Sequence, residues 1–593
     1  MGSSLPVRLE SPTRSFPAAV FVAAGCVYAW LVPLAPGFGD AAELGAAAQL
    51  LGVPHPTGFP LDVLLLRLGA YLPLGAISFR QNLLVALISA SCVALLAELT
   101  RRVSRRLGAD VASARVGGVL AAVALGSWAT FLGTGLSVEV YSTALALVLL
   151  GALELSRARP RVVVIGALVG LSLAAHVSAR VGLAPLLLVA LLGRGTRRLG
   201  PRCGLTVGVT LGLGALIVYL PLASLANPAL DWGDPETLGR LWGHLDAERI
   251  RTAYAGAMLG VDGAAMGRFL AQLAELGLFL IPASVGWLGL LRVRRRAALL
   301  LAGVFVLDLA YACFINPMGI ADRQVGHLAG ACLCLAAGLG VAALLARLAA
   351  RPSSRRLGLA LATSLAVLAV LAAPAGLAQD GSAESELLGS GSSLMDLPPR
   401  AVFVCHSDDV CAGALFARYA EWSRPDLSVV VAQHLWEPAE RRRLGSRFPR
   451  IVALGQRRPM TGSARGQLAA QVEAWLSRSS APVFFEAAPE GAPSAMFVAS
   501  RVPPFLCRAD GPYVAFPPER ALSALDVMLA ARLGSVSPTQ HLARGAYARA
   551  AGRLGKGLLA AQASELSVRA FERAVALDPG RAAGFTNLGV ARA

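Results

Sequence analysis

A series of long apolar segments is the feature of this sequence that most constrains its fold. The segments recur from Phe16 to about Ala378 with short interruptions, and then they stop. A membrane-spanning helix needs about 20 consecutive, mostly apolar residues. Because 55% of the 593 residues are hydrophobic and only 15% are charged, the segments predict a polytopic α-helical membrane protein.

Arginine clusters between the segments predict the orientation of the helices. Examples are "RRVSRR" from Arg101, "RARPR" from Arg157 and "RVRRR" from Arg292. Cytoplasmic loops carry an excess of Lys and Arg, so we assign these clusters to the inner face. The net charge of +18 then belongs mainly to loops that face the cytoplasm, and no nucleic-acid partner is expected.

This orientation predicts about eleven transmembrane helices in a plasma (inner) membrane protein. The approximate spans are 16–36, 81–99, 112–133, 138–155, 161–176, 180–194, 203–223, 268–291, 298–316, 326–347 and 357–378. The stretch Leu61–Leu74 is then interfacial or re-entrant, because counting it as a span would place "RRVSRR" outside. The first segment is expected to be an uncleaved span, with a cleaved signal peptide as the alternative. The odd helix number makes the C-terminal part extracytoplasmic.

Changes in composition divide the chain into four parts. Residues 1–379 form the transmembrane domain, 380–397 a Gly/Ser-rich linker, 398–538 an exported α/β domain and 539–593 a helical tail. In the α/β domain, Cys405 and Cys411 either pair or remain free thiols. The tail contains "AFERAVALDPGRAAGFTNLGVARA", which resembles a tetratricopeptide unit. Such helix pairs need stacked neighbours, so the expectation is that either the array continues into a protein partner or the chain is incomplete.

Acidic residues and a histidine directly follow the first apolar segment. Asp40 and Glu43 are three residues apart in "GDAAEL", a spacing that places both carboxylates on one helical face. The prolines of "GVPHPTGFP" end that helix and predict a rigid loop that carries His55. Carboxylates beside a histidine suit a general base or a metal site. A simple N-cap role is the alternative for Asp40.

Several motifs in a fixed order carry a resemblance to a known family. They are "GDAAELGAAAQLLGVPHPTGFPLD", "VEVYS" at Val138, "GLSLAAHVSA" at Gly170, "YLPLASLANPALDWGDPETLGRLWGHL" at Tyr219, "DRQVGHL" at Asp322 and "RPDLSVV" at Arg424. Over roughly residues 16–440 the chain resembles a bacterial membrane family of unknown function. The eukaryotic relative of that family is a protein O-mannosyltransferase that acts on plexin-type receptor domains.

The resemblance implies a glycosyltransferase of the C-type superfamily. Such an enzyme would take a hexose, for example mannose, from a polyprenyl-phosphate donor and transfer it with inversion to a hydroxyl of an exported protein or glycan. Asp40 matches the family's catalytic base and Glu43 its companion acid. No cofactor is required, and a divalent metal is optional. Relatives often carry Arg at the position of Ala223, so the phosphate contact expected there is either missing or supplied by Arg180 or Arg323.

Further candidates for substrate binding lie in the segments predicted to be outside. They are His55, Glu139, Tyr141, His176, Asp231, Trp232, Asp234, Asp322 and Arg323. A tryptophan beside acids is common on sugar-binding surfaces, and arginine suits a phosphate group. Ordinary turn chemistry, helix-end polarity and solvated loops are the alternatives.

A non-catalytic membrane scaffold is the alternative function for the whole chain. Its exported domain and repeat tail would recruit partners around a transmembrane core that has lost activity. A transporter is disfavoured, because charges within the spans and paired broken helices are scarce.

Overall fold

A computed structural model describes most of the transmembrane part and several segments of the C-terminal part. The described residues are 15–34, 36, 40–192, 199–253, 255–256, 258, 260, 263–321, 323–349, 351–372, 397, 399–405, 408–431, 483–485, 495–498, 506–509, 548, 551–552, 554–556, 558–559, 563–580 and 582–592. The predicted linker lies almost wholly outside the described residues, and so does Asp322.

Helices dominate the N-terminal part of the chain. They are α1 (Ser15–Leu31), α2 (Asp40–Leu50), α3 (Pro60–Gly69), α4 (Ile77–Arg106), α5 (Val111–Ser127), α6 (Ala129–Gly135), α7 (Tyr141–Leu155), α8 (Val162–Leu173), α9 (Val177–Leu192), α10 (Leu199–Gly214), α11 (Tyr219–Leu225), α12 (Leu238–Leu245), α13 (Glu248–Ala253), α14 (Gly263–Ala274), α15 (Leu280–Val293), α16 (Arg295–Ala310), α17 (Pro317–Ala321), α18 (His327–Leu348) and α19 (Pro352–Ala372).

A helix lies at each predicted span, and the architecture is that of a polytopic membrane protein. Among the described residues, five helices are long and apolar enough to cross a membrane, or up to seven if each of two bent pairs is one span. The bends are 68° between α5 and α6, and 88° where α14 meets the segment Gly277–Val293. Shorter apolar helices lie at the remaining predicted spans, and the number of eleven stays a prediction. The cluster "RRVSRR", expected as a loop, forms the last turns of α4.

Small residues allow the central helices to pack closely. A β-carbon added to Gly117 on α5 would lie 2.3 Å from the carbonyl oxygen of Gly338 on α18. On the other side of α18, a β-carbon on Gly286 of α15 would lie 1.9 Å from the carbonyl oxygen of Ala336. In membranes, helix association depends on such close contacts because lipid supplies no hydrophobic driving force. α18 is therefore the central helix of the bundle.

The C-terminal part contains a mixed sheet next to a helix. Its strands are β1 (Val402–Cys405), β2 (Ser428–Val431), β3 (Val483–Phe485), β4 (Ala495–Val498) and β5 (Leu506–Ala509), and α20 (Asp408–Tyr419) follows β1. The strand order is β2-β1-β3-β5-β4. β1 runs parallel to β2 and β3, and β5 runs antiparallel to β3 and β4. Short strands and a helix were expected in this α/β domain from its short apolar runs; one such run, "RIVAL" at Arg450, lies outside the described residues.

The two cysteines of this unit form a disulfide. Cys405 at the end of β1 is bonded to Cys411 on α20, which decides between the two predicted alternatives. The bond ties the strand to the helix that follows it.

α20 packs directly against α2. Ala42, Ala46 and Ala47 of α2 share a buried apolar cluster with Leu415 and Phe416 of α20. A β-carbon on Gly45 would lie 2.7 Å from both the Phe416 ring and the side-chain oxygen of Gln81 on α4. The α/β unit therefore lies on the same side of the bundle as α2, and α2 is held between α4 and α20.

Two helices, α21 (Ser564–Leu577) and α22 (Ala582–Arg592), form a contacting pair near the end of the chain. Arg592 is paired with Glu572 across them at 2.7 Å. The pair agrees with one helical hairpin of the expected tail, and the tetratricopeptide identity stays a prediction.

Gly45→Val tests the packing of α20 on α2. The added side chain would overlap Phe416 and Gln81, and overpacking of this kind costs about 1–3 kcal/mol. We expect a lower melting temperature in detergent. Gly289→Val is the matched control, because nothing lies within 4 Å of a β-carbon at that helical glycine. Equal melting temperatures for the two variants would contradict the described packing.

Candidate active site

The candidate site begins at the first turn of α2. Asp40 and Glu43 both lie in this turn, as the spacing predicted. The helix ends at Leu50, and α3 starts at Pro60. The loop between them returns His55 to the start of α2. In this loop the N–H of Gly58 donates to the carbonyl oxygen of His55 (2.9 Å) and closes a tight turn.

Glu43 holds His55 with both of its carboxylate oxygens. The backbone N–H of His55 donates to Oε1 at 2.7 Å, and the imidazole Nδ1 lies 3.3 Å from Oε2. Glu43 is buried, with 8% of its surface exposed. Burying a carboxylate is costly unless its charge is paired and hydrogen-bonded, and His55 supplies both interactions. Because one bond comes from the backbone and the other from the ring, the contact fixes both the loop and the imidazole.

Asp40 is the more accessible of the two acids. Its side chain is 31% exposed, whereas that of Glu43 is 10% exposed. Its Oδ2 accepts a hydrogen bond from Nε2 of Gln324 (3.2 Å) and lies 3.7 Å from Nε2 of His55. Among the described residues, the hydrogen-bond donor to Asp40 is thus Gln324, which lies in the segment before α18. No described residue donates a hydrogen bond to the Oδ1 of Asp40.

The charge of His55 is set by the acids around it. Burial alone would lower the pKa of the imidazole, but Asp40, Glu43 and, more weakly, Glu139 outweigh burial and raise the pKa to about 10. His55 is therefore an imidazolium at neutral pH. It neutralises part of the negative charge that the acids bring together.

Among the described residues, one group has the composition and geometry of a metal site. It consists of Asp40, Glu43 and His55. One ligand atom from each residue can be chosen so that all lie within 4.8 Å of one another. An imidazolium cannot bind a metal, however, and Glu43 already has both oxygens in contact with His55. A divalent cation bound here would have to displace the His55 proton; in the structure the three residues form an ion-paired group.

A row of aromatic and histidine rings extends from the acids into the bundle. The Phe59 ring lies 5.2 Å from His55 and 5.9 Å from His176, between centroids. Tyr141 lies 4.8 Å from His176 and stacks on His327 at 5.5 Å. The structure therefore brings His55, Tyr141 and His176, three of the predicted binding residues, into one continuous row.

Glu139 and Thr134 flank this row. Glu139 is buried directly before α7, and its charge acts on His55. Thr134 Oγ1 lies 2.9 Å from Nε2 of His327 and orients that ring. Glu139 thus belongs to the same acidic surroundings as Asp40 and Glu43.

Arg180 is the better candidate for the expected phosphate contact. It lies four residues after His176, one helical turn away, and its charge acts on both His176 and Tyr311. Its Nε is buried and has no hydrogen-bond partner in the described part of the chain. Arg323, by contrast, is paired with Glu275 at 2.9 Å and is 56% exposed. Its predicted neighbour Asp322 lies outside the described residues.

The acidic loop after α11 is occupied by its own contacts. Asp231 and Asp234 are buried, and both accept hydrogen bonds from Ser224, at 2.9 Å and 3.4 Å. Asp234 is also paired with Arg240. Trp232 is half-buried and lies under Arg249, 5.9 Å from its guanidinium carbon. These contacts favour the turn-forming role of the two acids over an exposed sugar-binding surface.

The two loops pair with each other through their backbones. The N–H of Val53 donates to the carbonyl oxygen of Leu230 (3.0 Å), and the N–H of Trp232 donates to that of Val53 (3.0 Å). His244 is buried against this pair: a β-carbon on Gly58 would lie 3.0 Å from its Nε2, and one on Gly233 3.1 Å from its Nδ1. Gly58, with φ of 86°, is at a position that only glycine fits easily.

Sequence reasoning missed Gln324, Phe59 and Tyr311 as parts of the site. Gln324 follows "DR" in a motif that was quoted, but its contact with Asp40 bridges a separation of 284 residues. Phe59 lies in "HPTGFP", where an aromatic residue beside histidine was the available signal. For Tyr311, inside an apolar segment, no sequence signal existed.

Comparison with known proteins finds a similarity over the segment that carries most of these residues. Residues 40–198 match the family model described as the Protein O-mannosyl-transferase TMEM260 N-terminal domain. The match starts at Asp40 and includes Glu43, His55, His176 and Arg180. The chain is also similar to the mouse protein named Protein O-mannosyl-transferase TMEM260, with 32% identity over 248 residues.

The similarity is confined to part of each protein. It covers 40% of this chain and 34% of the mouse protein, so the chain spans about a third of the relative that it matches. No solved structure matches the chain.

The raised pKa of His55 predicts how stability depends on pH. An imidazole whose pKa is about 10 in the folded protein and about 6.5 in the unfolded chain stabilises the fold fully below pH 6.5. That contribution is lost as the pH rises through 10. The melting-temperature difference between wild type and His55→Gln should therefore be largest near pH 6 and shrink towards pH 10.

His244→Gln is the control, because burial lowers the pKa of His244 to about 3 and keeps the ring neutral over this range. Its melting-temperature difference should not change between pH 6 and pH 10. A pH-independent difference for His55→Gln would mean that His55 is not held as an imidazolium.

Proposed function

We propose that this chain is a membrane glycosyltransferase. It transfers a hexose, such as mannose, from a polyprenyl-phosphate donor to a hydroxyl of an exported protein or glycan, with inversion at the anomeric carbon. The observation that carries the proposal is the convergence of Asp40, Glu43 and His55 within the segment that is similar to a protein O-mannosyl-transferase. No cofactor is needed, since the phosphate of the donor is already a leaving group.

Asp40 is the proposed base. It is the more accessible acid, and its Oδ1 is not engaged by the described residues, so it can accept the proton of an acceptor hydroxyl. The hydroxyl oxygen attacks the anomeric carbon as the bond from that carbon to the phosphate oxygen breaks. The phosphate leaves with the bonding electrons, and the hydroxyl proton goes to Asp40. A single displacement of this kind inverts the configuration.

Glu43 acts through His55 rather than on the substrate. Both Glu43 oxygens contact His55, and the imidazolium lies 3.7 Å from Asp40. The pair therefore positions a cation beside the base and keeps the loop closed over the first turn of α2. Glu43 is a positioning residue in this mechanism, and Asp40 is the catalytic residue.

Arg180 is the proposed contact for the donor phosphate. A guanidinium matches phosphate oxygens in geometry and charge, and the unsatisfied Nε of Arg180 offers a donor inside the bundle. The Phe59 ring contacts the rings of both His55 and His176, and the charge of Arg180 acts on His176. A sugar bound against these rings would have its anomeric carbon between the base and the phosphate contact.

The α/β unit is proposed to recognise the acceptor. Its helix α20 packs on α2, the helix that carries both acids, so the unit is adjacent to the site. This location suits a domain that guides an exported protein or glycan towards Asp40. With the orientation predicted from the arginine clusters, both this unit and the candidate site are proposed to be extracytoplasmic.

Transfer assays on substituted proteins test the assignment. Asp40→Asn keeps the size of the side chain but removes the proton acceptor, and loss of a general base lowers the rate about 10²- to 10⁴-fold. Glu43→Gln should reduce transfer less, since it weakens the hold on His55 without removing the base. Arg180→Gln should mainly raise the KM for the donor. The measurement is transfer from a radiolabelled polyprenyl-phosphate sugar in matched membranes.

Arg323→Gln is the matched control for Arg180→Gln, because Arg323 is exposed and paired with Glu275. It should leave the donor KM unchanged. Near-wild-type transfer by Asp40→Asn would overturn the role of Asp40. Wild type that is inactive with every donor, yet retains partners in pull-down assays, would favour the scaffold alternative.

A further inference from the structure

A large apolar cavity lies at the end of the bundle opposite the candidate site. Its volume is about 890 Å³, and most of its lining is leucine, valine and alanine from α4, α7, α15, α16 and α18. It starts at Leu145 and Leu328, just below the rings of Tyr141 and His327. From there it follows α7 as far as Leu155 and α18 as far as Leu339.

The depth of the cavity matches one leaflet of a membrane. The segment Leu145–Leu155 is about 15 Å long at the helical rise of about 1.5 Å per residue, which is half of a hydrocarbon core of roughly 30 Å. An apolar space of this depth and volume is the right size for a hydrocarbon chain.

Arginines surround the end of the cavity that is remote from the site. Arg106, Arg294, Arg295 and Arg296 all line it. No ion pair involves these four among the described residues, whereas Arg157, also in the lining, is paired with Glu154 at 3.7 Å. Arg106 and Arg294 are close enough for their charges to repel each other. The mouth of the cavity therefore carries a concentrated and uncompensated positive charge.

We propose that this cavity binds an anionic phospholipid, with one acyl chain in the apolar space and the phosphate headgroup at Arg106 and Arg294–Arg296. Excess inner arginine follows from membrane insertion alone, but that rule does not create an apolar space behind the charges. A polyprenyl-phosphate donor fits less well here. With its phosphate at these arginines, its sugar would lie at the far end of the bundle from Asp40.

The first test measures lipid retention. Wild type is reconstituted in nanodiscs of phosphatidylcholine and phosphatidylglycerol, extracted into detergent and analysed by native mass spectrometry. Wild type should retain phosphatidylglycerol in preference to phosphatidylcholine. R294Q/R295Q/R296Q should retain it at least about 10-fold less, because it removes three of the four arginines proposed to bind the headgroup.

R347Q/R351Q/R356Q is the matched control, since it removes the same charge from arginines that do not line the cavity. It should behave as wild type. Equal retention by both triple variants, or no retained phospholipid in wild type, would overturn the proposal. Displacement of phosphatidylglycerol by a much lower concentration of undecaprenyl phosphate would overturn it too, in favour of a polyprenyl lipid.

A second measurement locates the chain without any substitution. Phosphatidylglycerol with a photoreactive diazirine on one acyl chain should crosslink to peptides that contain Leu145–Leu155 and Leu328–Leu339. Crosslinks confined to the outer surface of the bundle would contradict the proposal. Neither measurement uses transferase activity, so failure here is independent of the proposed function.

Discussion

The contact between Glu43 and His55 is the interaction on which the candidate site depends. One carboxylate takes both the backbone N–H and the ring of His55, and it thereby ties the proline-rich loop to the start of α2. The same loop pairs with the segment at Leu230 and covers His244. Without the contact, Asp40, Glu43 and Glu139 would lose the cation that lies among them, and the loop would lose this attachment to the first turn of α2.

α2 connects this local arrangement to the rest of the molecule. It is too short to cross a membrane, and it is packed between α4 and α20 through Gly45 and a surface of alanines. Side chains this small allow close approach from both sides. The position of Asp40 is consequently set by the transmembrane bundle and by the α/β unit together, which couples the proposed chemistry to the proposed acceptor domain.

The sequence predicted the helices and the central group of residues, but not the contacts that distinguish Asp40 from Glu43. The spacing of Asp40 and Glu43 placed both on one face, and the prolines near His55 predicted the returning loop. Glu43, rather than Asp40, is engaged by His55 through both of its oxygens. Arg323 is paired with Glu275, which leaves Arg180 as the candidate for the phosphate contact. Both pairings are tertiary contacts that no local sequence pattern encodes. Asp231 and Asp234 of "DWGDPE" were expected at a binding surface. In the structure both accept hydrogen bonds from Ser224, and Asp234 is paired with Arg240.

The most direct measurement of the central claim is an experimental structure with a non-hydrolysable polyprenyl-phosphonate sugar bound. The account predicts the phosphonate at Arg180, the sugar against Phe59 and His176, and the anomeric carbon placed so that an acceptor hydroxyl could lie about 2.6–3.2 Å from Asp40. His55 should remain in contact with Glu43. A phosphonate at Arg323 or in the Asp231 loop, with the sugar remote from Asp40, would contradict the account.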